Sequence, residues 1–222
     1  MTHPHPRITE LLADGSASSR SDIARLLGIA PSTASAWIGQ LIEAGVVVED
    51  GLVASGSGRP RRKLRLNRPP GHLLVAELGG NHARLGVADR AGRLLRSTTS
   101  PLTVADGPEQ VLRSLTTLLR KQRAEGEPAG VGLALPGPVQ PGGTVRLPSR
   151  MPGWAGFPVQ EALAESFGVP AVVENDANAM ALGEHRTQFG TEGDSITVKA
   201  GTAIGSGIVI AGQLYRGATF AA

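Results

Sequence analysis

A cysteine-free chain of 222 residues has room for one or two domains and excludes disulfides and thiolate zinc sites, as suits a reducing cytoplasm. It holds no apolar run of membrane-spanning length, and its start, MTHPHPRITELLADG, lacks an apolar signal core, so nothing points to export. The net charge of +3 is unevenly placed: residues 1–70 hold nine Arg/Lys against six Asp/Glu and residues 71–222 thirteen of each, as expected when a nucleic-acid-binding module precedes a neutral domain.

The first seventy residues read as helices and a hairpin. Ile8, Leu11 and Leu12 share one face of a short helix. Ser21 is placed to cap a second, whose Ile23, Ala24 and Leu27 face inward. Gly28 turns the chain, Pro31 suits the first position of a third helix, and Ala34, Ile38, Leu41 and Ile42 form its stripe before Gly45 ends it. Two helices joined by a short Gly-containing turn match a helix-turn-helix. In that motif the N-terminal residues of the third helix meet base edges, here Ser32, Thr33, Ser35 and Ala36. Ser and Thr read bases loosely, and no Arg or Gln is present for a bidentate contact. Trp37 either packs on the first helix or lies against a deoxyribose; exposure is expected, because Ala34 and Ile38 already define the buried stripe. A small protein-interaction module is the alternative for the whole segment.

The missing charge comes downstream. Val46–Val48, Asp50-Gly51 and Leu52-Val53 read as a hairpin. Arg59, Arg61, Arg62, Lys63, Arg65 and Arg68 then fall within ten residues with no acid between them. Such a Gly/Ser-rich basic stretch can enter a minor groove or clamp phosphates, or it is a solvated linker. Arg65 alternates with Leu64 and Leu66 as in a returning strand, and Pro69-Pro70-Gly71 marks a boundary.

Beyond the boundary, Leu73–Leu78 is a continuous apolar strand, Gly79-Gly80 turns it back, and Ala83–Ala88 is its partner. Asp89–Gly92 turns into a third strand. Asp106–Glu109 opens a helix with the stripe Val111, Leu112, Leu115, Leu118 and Leu119, and the strand Gly130–Leu135 ends in Pro136-Gly137-Pro138. This order implies a mixed α/β sheet. The segment VVENDANAMALGEHR (172–186) is the most informative of all. An apolar run ends in Glu174-Asn175-Asp176 and a helix begins at once, which suits a small-molecule site at a strand's mouth. Asp176 could accept a proton or grip a hydroxyl; equally, the segment is an Asx turn that caps the helix.

Five segments, LLVAELGG (73–80), VGLALPGPV (131–139), PGW (152–154), ENDANAMALGE (174–184) and AGTAIGSGIVIAGQLYRG (200–217), occur in one order that resembles the sugar-kinase-like domain of the ROK family of repressors, reading frames and kinases. Residues 21–47 resemble the winged helix-turn-helix of ROK repressors, and Gly58-Arg59-Pro60 resembles their wing. The resemblance implies that the Gly137 loop lies beside a sugar, and that Asn175 and Asp176 hold its hydroxyls. It places Arg150 where sugar-binding members carry an asparagine, and Trp154 beside the ligand or in the core. In kinases of the family the aspartate matching Asp176 is the general base, and the first phosphate loop carries Asp and Thr where this chain has Glu77 and Asn81. Ala203 stands where their second loop has a glycine, and its added Cβ opposes close phosphate approach. These three differences argue against ATP use. The glycines of 199–207 then serve a hairpin turn, and Glu184 is structural.

The expectation is therefore an α/β chain: an N-terminal winged helix-turn-helix (1–68), a linker (69–72), and an incomplete actin-like ATPase (ribonuclease H-like) lobe of ROK type (73–222). Relatives continue into a zinc motif and a second lobe that this chain does not contain, so no metal or other cofactor is expected, and apolar surface should be exposed on strands 195–215. The expected function is a cytoplasmic DNA-binding regulator, a repressor responsive to a monosaccharide or sugar phosphate. Its partner is double-stranded DNA, and it is a homodimer where the full dimer surface is present. The alternative is an ATP-dependent sugar kinase with Asp176 as base.

Overall fold

The computed structural model describes residues 6–13, 15–53, 61–67, 71–90, 92–122, 126–146, 151–201, 203–218 and 220. The chain divides into two compact units, Met1–Pro69 and Pro70–Ala222.

The first unit holds α1 (Pro6–Ala13), α2 (Arg20–Leu27), α3 (Pro31–Glu43) and an antiparallel pair, β1 (Val47–Val53) and β2 (Arg61–Leu66). Ser19, rather than Ser21, caps α2. Its Oγ accepts from the Asp22 N–H and donates to the Asp22 carboxylate at 2.8 Å, and the Ser18 N–H donates to the same carboxylate. Burial raises the Asp22 pKa, but these hydrogen bonds from Ser19 and Ser18 outweigh it and hold the carboxyl below its ordinary value. Gly28, at φ +64°, ends α2 in the left-handed region, and Pro31 opens α3. Ile8, Ile23, Ala34, Ile38, Leu41, Val47 and Leu64 form one buried cluster, against which Trp37 packs half-buried. Trp37 is thus less exposed than expected, because its ring also covers the edge of this small core. Asp50-Gly51 is not a hairpin turn. The β1–β2 register shifts between Glu49 and Leu52, with Gly51 at φ +72°. The left-handed glycine makes a bulge inside β1, and the true partner strand is β2.

The second unit is built on a mixed five-stranded sheet in the order β5-β4-β3-β6-β9. Its strands are β3 (His72–Leu78), β4 (His82–Ala88), β5 (Leu94–Pro101), β6 (Pro128–Leu135) and β9 (Ala171–Asn175). β3, β6 and β9 pair in parallel, whereas β4 is antiparallel to both of its neighbours, β3 and the edge strand β5. The alternating burial of β3 and the stripe of α4 (Pro108–Arg120) meet in one core with α5 (Val159–Phe167). Short strands β7 (Val139–Gln140) and β8 (Thr144–Val145) extend the β6 loop. Trp154 is fully buried in this core and donates from Nε1 to the Val104 carbonyl at 2.9 Å, so it has no face for a ligand.

A second, antiparallel sheet holds β10 (Ser195–Ala200), β11 (Ile204–Ile210) and β12 (Gln213–Tyr215). Helix α6 (Asp176–Phe189) covers one of its faces. A Cβ on Gly207 would stand 2.4 Å from the Ala181 Cβ and 2.7 Å from the Ala177 carbonyl, so the glycine is what allows α6 to lie this close. On the other face Ile196, Val198 and Ile204 are 70%, 62% and 83% exposed, an apolar surface of the kind expected for these strands.

Candidate functional site

The mouth of the five-stranded sheet is organised by the junction of β9 and α6. Asn175 is the N-cap of α6: its Oδ1 accepts from the N–H groups of Ala177 and Asn178 at 3.0 and 3.1 Å. Its Nδ2 donates to the Gly137 carbonyl at 3.0 Å, which ties the β6 loop to the helix start. Gly137 itself adopts φ +101°. The capping role expected as one of two alternatives is therefore present, and it occupies both ends of the Asn175 amide. Glu174 accepts from the Asn175 N–H, from Asn178 Nδ2 and from the Arg216 guanidinium at 2.6 Å.

Asp176 opens the helix with a side chain only 18% exposed. Its Oδ1 accepts from the Ala177 N–H, and its Oδ2 lies 2.7 Å from Lys199 Nζ. The same ammonium reaches Glu77 Oε1 at 2.8 Å, and Arg84 stands 3.5 Å from the other Glu77 oxygen. Burial raises the Glu77 pKa, but the hydrogen bond and charge of Lys199, with Arg84 and His82, outweigh it and hold the carboxyl below the usual range. Burial works against the Lys199 charge, but the hydrogen bonds it donates to Asp176 and Glu77 win and push its pKa up. The site thus holds a salt-bridged triad drawn from β3, α6 and β10. Lys199 and Arg216 were not identified from sequence. A signal existed for Lys199: it is the one cation in the strand SITVKA and shares its face with Ser195 and Thr197.

The remaining sequence candidates fall as follows. Arg150 lies outside the described residues. Glu184 is exposed and accepts from Gln188. In the 199–207 segment only Gly201 belongs to the turn, through its N–H to the Ala203 carbonyl; Gly205 and Gly207 lie inside β11 against α6. Among the described residues no group of three His, Asp or Glu is placed to hold a metal ion.

In the first unit Ser32, Ser35 and Ala36 are exposed on α3, and Thr33 and Trp37 are half-buried. Arg62 and Lys63 are exposed on β2; Arg59 and the Arg61 side chain lie outside the described residues. Arg62 is not bare. Glu49 bridges it at 2.7 Å to Arg20 at 2.6 Å, and these guanidinium groups, Arg20 first, hold Glu49 below the usual carboxylate range. Arg65 pairs with Asp50 at 2.8 Å.

Residues 74–222 match the model of the ROK family. The chain belongs to the ROK family. Over 220 residues, 95% of the chain and 54% of the relative, it is 31% identical to a putative xylose repressor of Caldicellulosiruptor sp. strain Rt8B.4. A ROK family transcriptional regulator, a homologue of the E. coli MLC protein, superposes with a TM-score of 0.69 over 95% of the chain and 55% of its own, at 22% identity. The ROK family glucokinase of Streptomyces griseus, solved with glucose and AMPPNP, superposes at 0.61 over 68% of the chain and 48% of its own, at 29% identity. The α/β unit is thus of the ROK sugar-kinase type, with its mixed sheet. The chain spans about half the length of the curated relatives it matches.

Proposed function

We propose that this ROK chain is a DNA-binding transcriptional regulator, a repressor, that responds to a monosaccharide or sugar phosphate in the cytoplasm. One observation carries the choice. Similarity to repressors runs over 95% of the chain, whereas the Thermotoga maritima glucokinase aligns with only 65% of it and the Streptomyces griseus enzyme superposes on 68%. The excess corresponds to the first unit. There α2, the Gly28 turn and α3 form the helix-turn-helix of a DNA-binding domain (1–68), and β1 and β2 form its wing.

In that domain α3 enters the major groove with Ser32, Thr33 and Ser35 at base edges and Trp37 beside the backbone. Arg59, Arg61, Arg62 and Lys63 supply the phosphate contacts and the bulk of the affinity. After the 69–72 linker, residues 73–222 form the sensing lobe. Gly137, Arg150, Asn175 and Asp176 frame its ligand, and the effector acts by binding the DNA-bound and free states unequally. A homodimer presents two such domains to a two-fold operator. No metal or nucleotide cofactor takes part. Mobility-shift titration with genomic fragments at two salt concentrations tests the assignment. A preferred fragment, with affinity falling steeply as salt rises, is the expected result; binding no tighter than to bulk DNA would sink it.

The second reading, an ATP-dependent sugar kinase with Asp176 as general base, draws on the glucokinase similarity and on Asn175-Asp176. Three features stand against it. Glu77 and Asn81 replace the kinase pattern, Lys199 occupies both acidic side chains, and Gly205 and Gly207 are spent on packing α6. A coupled ATPase assay over hexoses and N-acetylhexosamines decides: turnover abolished by Asp176→Asn would favour the kinase.

A further inference from the structure

The Lys199 triad has chemistry that the sensing role does not require. Two carboxylates from distant parts of the chain converge on one nitrogen, at 2.8 and 2.7 Å. Oxygen ligands surround a calcium ion at about 2.3–2.6 Å, so the ammonium stands only a few tenths of an ångström farther from each oxygen than a small bound cation would. Left alone, such a pair repels, and something positive must hold it together. Here Lys199 supplies one charge, and Arg84 at 3.5 Å from Glu77 supplies a second, which balances the two carboxylates. An arriving divalent ion would find no net negative charge and no open oxygen pair.

We propose that the Lys199 ammonium is the resident cation of this site, standing between Glu77 and Asp176 where a divalent metal would bridge them, so that the site takes up its ligand without a metal ion. Because Lys199 is tethered through β10, it needs no capture from solution. Among the described residues two of its three N–H groups are used. The third, on a side chain 32% exposed, is left for an oxygen of the ligand. A neutral polyol fits this geometry: it accepts from Lys199 and donates to the remaining lone pairs of Asp176.

The test is titration of the full chain with Mn2+ alone, followed by electron paramagnetic resonance, for wild type, Lys199→Met and Lys199→Met/Glu77→Gln. Removal of the ammonium should create saturable Mn2+ binding about tenfold or more tighter than in wild type, and loss of Glu77 should abolish the gain. Wild-type binding as tight as that of Lys199→Met, or no gain in Lys199→Met, would overturn the proposal. Should Lys199→Met fail to fold, thermal melts with and without Mn2+ give the answer: a cooperative transition restored by Mn2+ supports it, and no restoration overturns it.

Discussion

Lys199 Nζ and Asp176 Oδ2 meet at 2.7 Å, although one residue lies in β10 and the other opens α6. The acid that sequence singles out as an acceptor therefore enters any ligand complex already paired. Its Oδ1 is turned to the Ala177 N–H, so a ligand must share these oxygens rather than find them bare.

The triad sets a pH dependence. The folded pKa of Glu77 lies below its ordinary 4.5, so its pairing stabilises the fold above that pH and the contribution is lost as the pH falls through the lowered folded value. Lys199 is raised above 10.5, so its contribution is present below that pH and is lost only as the pH rises through the raised value. Between about pH 6 and pH 3.5 the melting temperature of wild type should fall further than that of Glu77→Gln. Circular-dichroism melts across this range check it, and equal losses would contradict the pairing.

Asn175 is expected to serve the fold before any ligand. Asn175→Ala removes the cap of α6 and the bond to the Gly137 carbonyl and should cost about 1–2 kcal/mol. Asn175→Asp keeps an acceptor for the Ala177 and Asn178 N–H groups and should recover part of that loss, though it cannot donate to Gly137. Urea unfolding of the three proteins measures the difference. No loss in Asn175→Ala would mean that the cap is dispensable.

The glycines of the 199–207 segment should behave as packing residues. Gly207→Ala forces a methyl onto the α6 backbone, where Ala177 O cannot move aside, and should destabilise by about 1–3 kcal/mol. Gly205→Ala meets only the Ala177 Cβ at 3.1 Å and should cost less. Gly183→Ala, in α6 with nothing near its Cβ, should instead stabilise by about 0.5–1 kcal/mol. The order of the three midpoints in denaturant is the check.

Glu49 should restrain DNA binding. It pairs Arg20 and Arg62, and Glu49→Gln releases both guanidinium groups toward phosphate. The variant should bind bulk DNA more tightly and steepen the slope of log affinity against log salt by up to about one unit per added contact. Arg62→Ala should flatten the slope by a similar amount. An unchanged slope in both would remove Arg62 from the phosphate contacts.

Much of the fold was legible because its signals are local. The apolar runs of β3 and β6, the stripe of α4 and Pro31 at the start of α3 reflect periodicity and backbone preference, which neighbours a few positions away express. Local signals are ambiguous where more than one residue or conformation satisfies them. Gly51 suits a tight turn or a bulge, and only pairing with β2 decides for the bulge. Ser19 and Ser21 are equally good caps in isolation, and Asp22 selects Ser19.

Taken by itself, the sequence determined the order of elements, the basic excess of the first seventy residues and the polar junction at Asn175-Asp176, since caps, turns and charge counts need no distant partner. Tertiary structure alone decided what the junction faces. Lys199 joins Glu77 across 122 positions, Trp154 turns its N–H into the core toward Val104, and Gly207 yields its side-chain space to α6. Each depends on segments far apart in the chain arriving at one place. That is a matter of packing density and charge pairing between remote segments, which no local pattern encodes.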